Sequence, residues 1–131
     1  MKRILSLLLF LMPLLAIAAP DSFGREADYH LDMGFTTNSR NPQDPFYYTN
    51  GDVMIVRGAK KEATSSPEAV VKEIEYYIDG KKVGENSDAP FTLAYELKNW
   101  AKGKHKFLAK VKWTADYYKF ESSFTWDLTI Y

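Results

Sequence analysis

Cysteine is absent from the 131-residue chain. That excludes disulfide scaffolds, Cys-ligated zinc and iron–sulfur sites, thiol nucleophiles and lipid attachment at an N-terminal Cys. Net charge is absent as well: 17 bases balance 17 acids, so no sequence-wide positive field exists to hold a phosphate backbone, and nucleic acid is not an expected partner. No phosphate-cradling glycine loop or metal motif occurs, so no cofactor is expected. No Gly-x-Ser-x-Gly marks a nucleophilic serine, and a domain this small offers little cleft for a pair of glycosidase carboxylates, so the chain is not expected to be an enzyme. No stretch sustains a helical period either. What remains is one domain, or one domain with an appendage.

The single long apolar run lies at the start. Met1-Lys2-Arg3 supplies positive charge, Ile4 to Ile17 is broken only by Ser6 and Pro13, and small residues surround Ala18. This is the layout of a signal peptide over residues 1–18. The run is shorter than the ~20 residues a spanning helix needs, so no membrane insertion is expected after cleavage, and the product is expected in the periplasm or outside the cell. Removing residues 1–18 takes away Lys2 and Arg3, leaving 15 bases against 17 acids in 113 residues. Of twenty aromatics only Phe10 is lost. Nineteen large rings in so short a chain can build a core without disulfides.

Residues 19–27 are polar, without period, and read as a flexible lead-in. From Asp28 onward the pattern is that of strands. Tyr29, Leu31, Met33 and Phe35 alternate with polar residues, and a turn-rich connection follows to Asp52, within which Phe46-Tyr47-Tyr48 reads as a short strand or plug. Val53 to Arg57 is a strand closed by Gly58, and Ala59 to Ala69 an exposed loop. Ile74, Tyr76 and Ile78 alternate ahead of Asp79-Gly80, the dipeptide of a type I′ hairpin, with a return strand over 81–84. Phe91 to Leu97 is next. Phe107, Ala109, Val111 and Trp113 alternate with lysines 104, 106, 110 and 112, with Glu73 and Glu75 expected to face them from a neighbouring strand. After a turn over 115–119, Phe120, Phe124, Trp126, Leu128 and Ile130 complete the pattern. About seven short strands at this spacing predict an all-β, two-sheet antiparallel sandwich over residues 28–131.

Three segments carry a resemblance: Ile74 to Gly84 with its Asp79-Gly80 turn, Ala89-Pro90-Phe91, and Trp100-Ala101-Lys102-Gly103-Lys104-His105, followed by Asp116. In these the chain resembles the bacterial immunoglobulin-like modules of secreted and surface proteins, including those attached to carbohydrate-active enzymes. The resemblance implies an Ig-like sandwich, with His105 as a structural corner residue bonding a backbone carbonyl and Trp100 as an apolar plug. The chain differs from that pattern in a long connection between the first two strands and in lacking a Gly after Asp116, and the resemblance specifies fold rather than activity.

In such a sandwich, loops gather at one end. That end is expected to hold Lys60, Lys61, Glu62, Glu85, Asn86, Asp88, Tyr117, Tyr118 and Lys119. Of these, Tyr117, Tyr118, Lys119, Lys60, Asn86 and Asp88 are the candidate ligand-binding residues, because tyrosines beside carboxylates and an amide suit sugar stacking or a protein hot spot. Asp28, His30 and Asp32 share one strand face, and a carboxylate–imidazole–carboxylate set can take a divalent cation. No fourth ligand is identifiable, and a solvated face explains them as well. The expectation is an exported, stand-alone, non-catalytic binding module whose partner is an envelope or extracellular protein, or alternatively a polysaccharide.

Overall fold

The longest elements are the easiest to derive. Strands β7 (Gly103–Ala115) and β8 (Tyr118–Ile130), thirteen residues each, pair antiparallel in unbroken register from Gly103↔Ile130 to Ala115↔Tyr118. Phe107, Ala109, Val111, Trp113 and Ala115 are all buried, as period two on a half-buried sheet requires. The computed structural model describes residues 28–131. The predicted leader, residues 1–18, and the lead-in, 19–27, lie outside the described residues.

The remaining strands are β1 (Met33–Thr37), β2 (Tyr47–Tyr48), β3 (Val53–Lys60), β4 (Ala69–Ile78), β5 (Lys81–Asn86) and β6 (Leu93–Glu96). They form two sheets, one ordered β1-β3-β6 and the other β2-β8-β7-β4-β5. The Ig-like sandwich read from the sequence is the observed fold. Between the sheets lie Leu31, Met33, Met54, Val56 and Leu93 from one side and Ile74, Tyr76, Ile78, Phe107, Val111 and Leu128 from the other. Tyr76 is wholly buried, and its hydroxyl donates to the Phe91 carbonyl at 2.6 Å. The Asp79-Gly80 turn has φ of 49° and 82°, the two positive values a type I′ turn needs.

Two strand boundaries here differ from the pattern reading, each for a physical reason, and the Phe46–Tyr48 segment meets both of its readings. Gly58 does not end β3; it lies opposite Phe35, and a Cβ there would come within 2.8 Å of the Phe35 ring. Strand β4 begins at Ala69, four residues before the alternation becomes visible, because a bulge between Val71 and Glu73 switches the faces. Phe46 to Tyr48 is both plug and strand. Phe46 and Tyr48 are buried, the Phe46 ring lies 4.7 Å from that of Phe107, and β2 pairs with the end of β8 in parallel, the one parallel pair among the described strands. The long connection before it is fastened by Arg40, whose guanidinium donates to both oxygens of Asp52 at 2.8 and 2.7 Å.

Candidate interaction surface

The turn between β7 and β8 consists of Asp116 and Tyr117, with Asp116 at φ 55°. Its base is fixed from across the sandwich, since the Tyr29 hydroxyl donates to Asp116 Oδ2 at 2.5 Å. That carboxylate pushes the Tyr29 phenol up to about 12. Tyr118 opens β8 with its ring tilted against Tyr29, centroids 6.1 Å apart. Tyr117 is left at the tip, 100% exposed. The two tyrosines named together from the sequence therefore do different things: one closes the end of the core, and the other projects from a stiff hairpin.

The loop between β3 and β4 passes beside this turn, because Ala69 pairs with Ala115. Lys60 is turned inward to hold that loop. Its ammonium donates to the carbonyls of Ala69 at 2.8 Å and Ser66 at 3.2 Å and pairs with Glu62 at 3.2 Å, leaving the side chain 13% exposed. Asn86 is spent similarly on the loop between β5 and β6. Its Nδ2 donates to the Thr92 carbonyl at 3.0 Å, and its Oδ1 accepts from the Asp88 amide at 2.9 Å. Asp88 is exposed, and its carbonyl accepts from the Phe91 amide. Glu85 pairs with Lys82.

The β5–β6 loop is held against β3, where the Gly58 amide donates to the Pro90 carbonyl at 2.9 Å. Between the β3–β4 and β5–β6 loops runs a groove of about 580 Å³, lined by Pro67, Val70, Val71, Ala89, Pro90 and Phe91 together with Lys60 and Glu62. Lys119 lies in a second depression of about 510 Å³ with Lys72, Lys112, Thr114 and Glu121. The groove and Lys72 escape sequence reasoning, since the bulge conceals the start of β4. The legible signal is Ala89-Pro90-Phe91, which the pattern assigns only to a strand entry.

Asp28, His30 and Asp32 are not a strand face. Residues 28–32 carry no strand pairing and are laced to the β3–β4 loop: the His30 amide donates to Ser66 Oγ at 2.8 Å and the Asp32 amide to Ser65 Oγ at 2.9 Å. The Asp32 carboxylate accepts from Thr64 Oγ1 at 2.7 Å, which holds its pKa below the usual value. Among the described residues the acidic group with convergent oxygens is instead Glu73, Glu75 and Glu85. Lysines already occupy it.

The lysine stripe is a paired ladder. Lys112 reaches Glu75 at 3.1 Å and Glu73 at 3.6 Å, Lys110 reaches Glu75 at 4.0 Å, and Lys106 and Lys104 reach Asp127 at 3.6 and 3.9 Å. The Tyr77 hydroxyl, donating to Glu75 at 2.7 Å, and Lys112 bring the Glu75 carboxyl down to about 2.

At the opposite end, His105 sits between Asp79 Oδ2 and the Ala101 carbonyl, each 2.6 Å from a ring nitrogen. Both partners only accept, so both bonds form when the imidazole is protonated. Asp79 and then Ala101 accordingly raise the His105 pKa. Trp100 packs edge-on against this ring at 5.5 Å, and its backbone N–H and C=O are both bonded to Asn50. The corner and plug roles implied for His105 and Trp100 are those observed.

Residues 40–109 match the bacterial Ig domain family. No curated protein matches the sequence. Among solved structures, the fibronectin(III)-like modules of Clostridium thermocellum CbhA are similar at 15% identity and TM-score 0.47, over 74% of this chain and 94% of that one. Bacteroides uniformis beta-glucuronidase aligns at 13% identity and TM-score 0.45, over 76% of this chain and 11% of the enzyme. No helix among the described residues is long and apolar enough to cross a membrane.

Proposed function

The chain belongs to the bacterial Ig domain family, whose members are typically found in surface or secreted proteins, and from that premise we propose that it is an exported, non-catalytic module that binds a protein partner of the envelope or cell exterior. The observation that carries this reading is Tyr117, fully exposed at the tip of a hairpin of two thirteen-residue strands. A large ring held on rigid strands loses little entropy on docking, which is the physics of a hot-spot anchor. The apolar groove between the β3–β4 and β5–β6 loops supplies further surface at the same end. Export rests on the leader pattern of residues 1–18. Pull-down from the native envelope is the test: a partner retained by the wild type and lost with Tyr117→Ala supports the reading, and equal retention by both overturns it.

Glycan binding is the second reading, and the exposed Tyr117 ring favours it too, since a free aromatic face can stack on a sugar. Tyr118, folded against Tyr29, does not extend that platform. Affinity electrophoresis through a panel of polysaccharides separates the two: retardation that Tyr117→Ala abolishes assigns the site to sugar, and unretarded migration throughout removes this reading.

A further inference from the structure

The two edges of the five-stranded sheet are built differently. At one edge, β5 is six residues long, carries Lys81 and Lys82, and follows a register shift at Tyr76/Tyr77. Short length, lysines and irregular pairing are how sheets discourage further strands. At the other edge, β8 is thirteen residues long, contains no proline, and pairs with β7 without a bulge. Its inward side chains Tyr118, Phe120, Ser122, Phe124, Trp126 and Leu128 include no charge.

The direction of its edge groups follows from β2. The amides of Thr129 and Tyr131 donate to the carbonyls of Phe46 and Tyr48 at 2.9 and 3.0 Å, so odd-numbered residues of β8 present their backbone groups away from β7. Strand β2 covers only Thr129 and Ile130. Among the described residues, the same groups of Lys119, Glu121, Ser123, Thr125 and Asp127 have no strand beside them.

We propose that this edge pairs with the β8 edge of a second copy of the chain, antiparallel about a two-fold axis at Ser123, to give a continuous ten-stranded sheet. The register follows from the sequence. Centring on Ser123 places Lys119 opposite Asp127 of the second copy at both ends, Glu121 opposite Thr125, and Ser123 opposite itself. It engages all five free rungs, with about ten backbone hydrogen bonds. Shifting the axis toward the β8 start opposes Glu121 to Glu121 or forfeits the charge pairs; shifting it the other way opposes Glu121 to Asp127. On the core side the centred register sets Phe120 opposite Trp126, an aromatic cross-strand pair. Asp127 also contacts Lys104 and Lys106, but loosely and while 59% exposed; such pairs count for little, and the second Lys119 approaches from the side away from β7. Edge pairing of this length buries less than an obligate interface, so the dimer is weak and concentration-dependent. Of the candidate loop-end residues it engages Lys119 in a charge pair, and the cross-links at 123 and 125 read it at positions away from that end.

The cysteine-free chain makes the test clean. In the centred register the two copies of residue 123 form a hydrogen-bonded pair with Cα atoms about 5.5 Å apart, within disulfide range. The two copies of residue 125 lie about 13 Å apart along the strand. Ser123→Cys is expected to form a disulfide dimer under mild oxidation at least tenfold faster than Thr125→Cys. Ser123→Pro, which costs no β7–β8 bond, is expected to weaken the wild-type dimer at least tenfold in sedimentation equilibrium; if that variant unfolds, the cysteine pair alone decides. Equal cross-linking at both positions, or a wild type monomeric up to about 1 mM, overturns the proposal. So does a monomer whose β8 amides become protected only on adding an extended peptide, which assigns the edge to a foreign strand.

Discussion

The two ends of this sandwich use similar residues to opposite effect. At the end holding the Asp79-Gly80 turn, an aromatic, a histidine and a carboxylate are fastened to one another: His105 bridges Asp79 and Ala101, Trp100 covers the imidazole, and Asn50 takes up both backbone groups of Trp100. At the other end Tyr29, Asp116 and Tyr118 make a comparable closure, but one ring, Tyr117, is left over in full contact with solvent. The first end spends its polar and aromatic groups on the fold. The second does so except for one side chain and a groove, and that remainder is where a partner can gain contact without costing stability.

The contrast is broken most severely by Trp100→Ala. Removing the plug uncovers the His105 corner and leaves a cavity, at about 3 kcal/mol, read as a lowered urea midpoint. His105→Ala comes next, at about 1–2 kcal/mol near pH 6. Because Asp79 and Ala101 raise the folded-state pKa of His105, its contribution is complete below the unfolded value near 6.5 and is lost as pH rises through the folded value. The gap between wild type and variant therefore narrows toward pH 9, and a constant gap would mean the imidazolium is not what holds the corner. At the loop end Lys60→Met removes the ammonium that ties the Ser66 and Ala69 carbonyls, costing about 1 kcal/mol and appearing as faster amide exchange confined to residues 61–68. Tyr117→Ala is expected to leave stability unchanged, since the ring touches nothing that folding buries. A thermal melt displaced by this last variant would show that Tyr117 is tied into the fold like the aromatics of the opposite end.

Much of this architecture is legible in the amino-acid sequence. Alternation over 104–113 and 120–130 marks the core face of the central hairpin, and Asp79-Gly80 marks the turn type of the β4–β5 hairpin, because period and positive φ are local properties. Glu73 and Glu75, expected opposite the lysines, stand there. What escapes the pattern depends on contacts distant in sequence. Gly58 looks like a strand end because the Phe35 ring that fills the space above it lies 23 positions earlier. The β4 bulge inverts the pattern just where the groove begins. Alternation at Asp28–Asp32 suggests a strand, whereas the serines of the β3–β4 loop take those backbone bonds. For the candidate site the loops are legible but the side-chain directions are not: Lys60 and Asn86 turn inward to hold their loops, and neighbouring tyrosines part company.

The central claim is that, apart from self-pairing along β8, contact with a foreign partner is made at the Tyr117 end and not at the His105 end. A photo-activatable phenylalanine analogue placed at residue 117, and separately at Lys102 in the opposite corner, tests it in living cells of the source organism. A discrete covalent adduct from position 117 and none from position 102 is the expected result. Adducts of equal yield from both positions, or from position 102 alone, would contradict it.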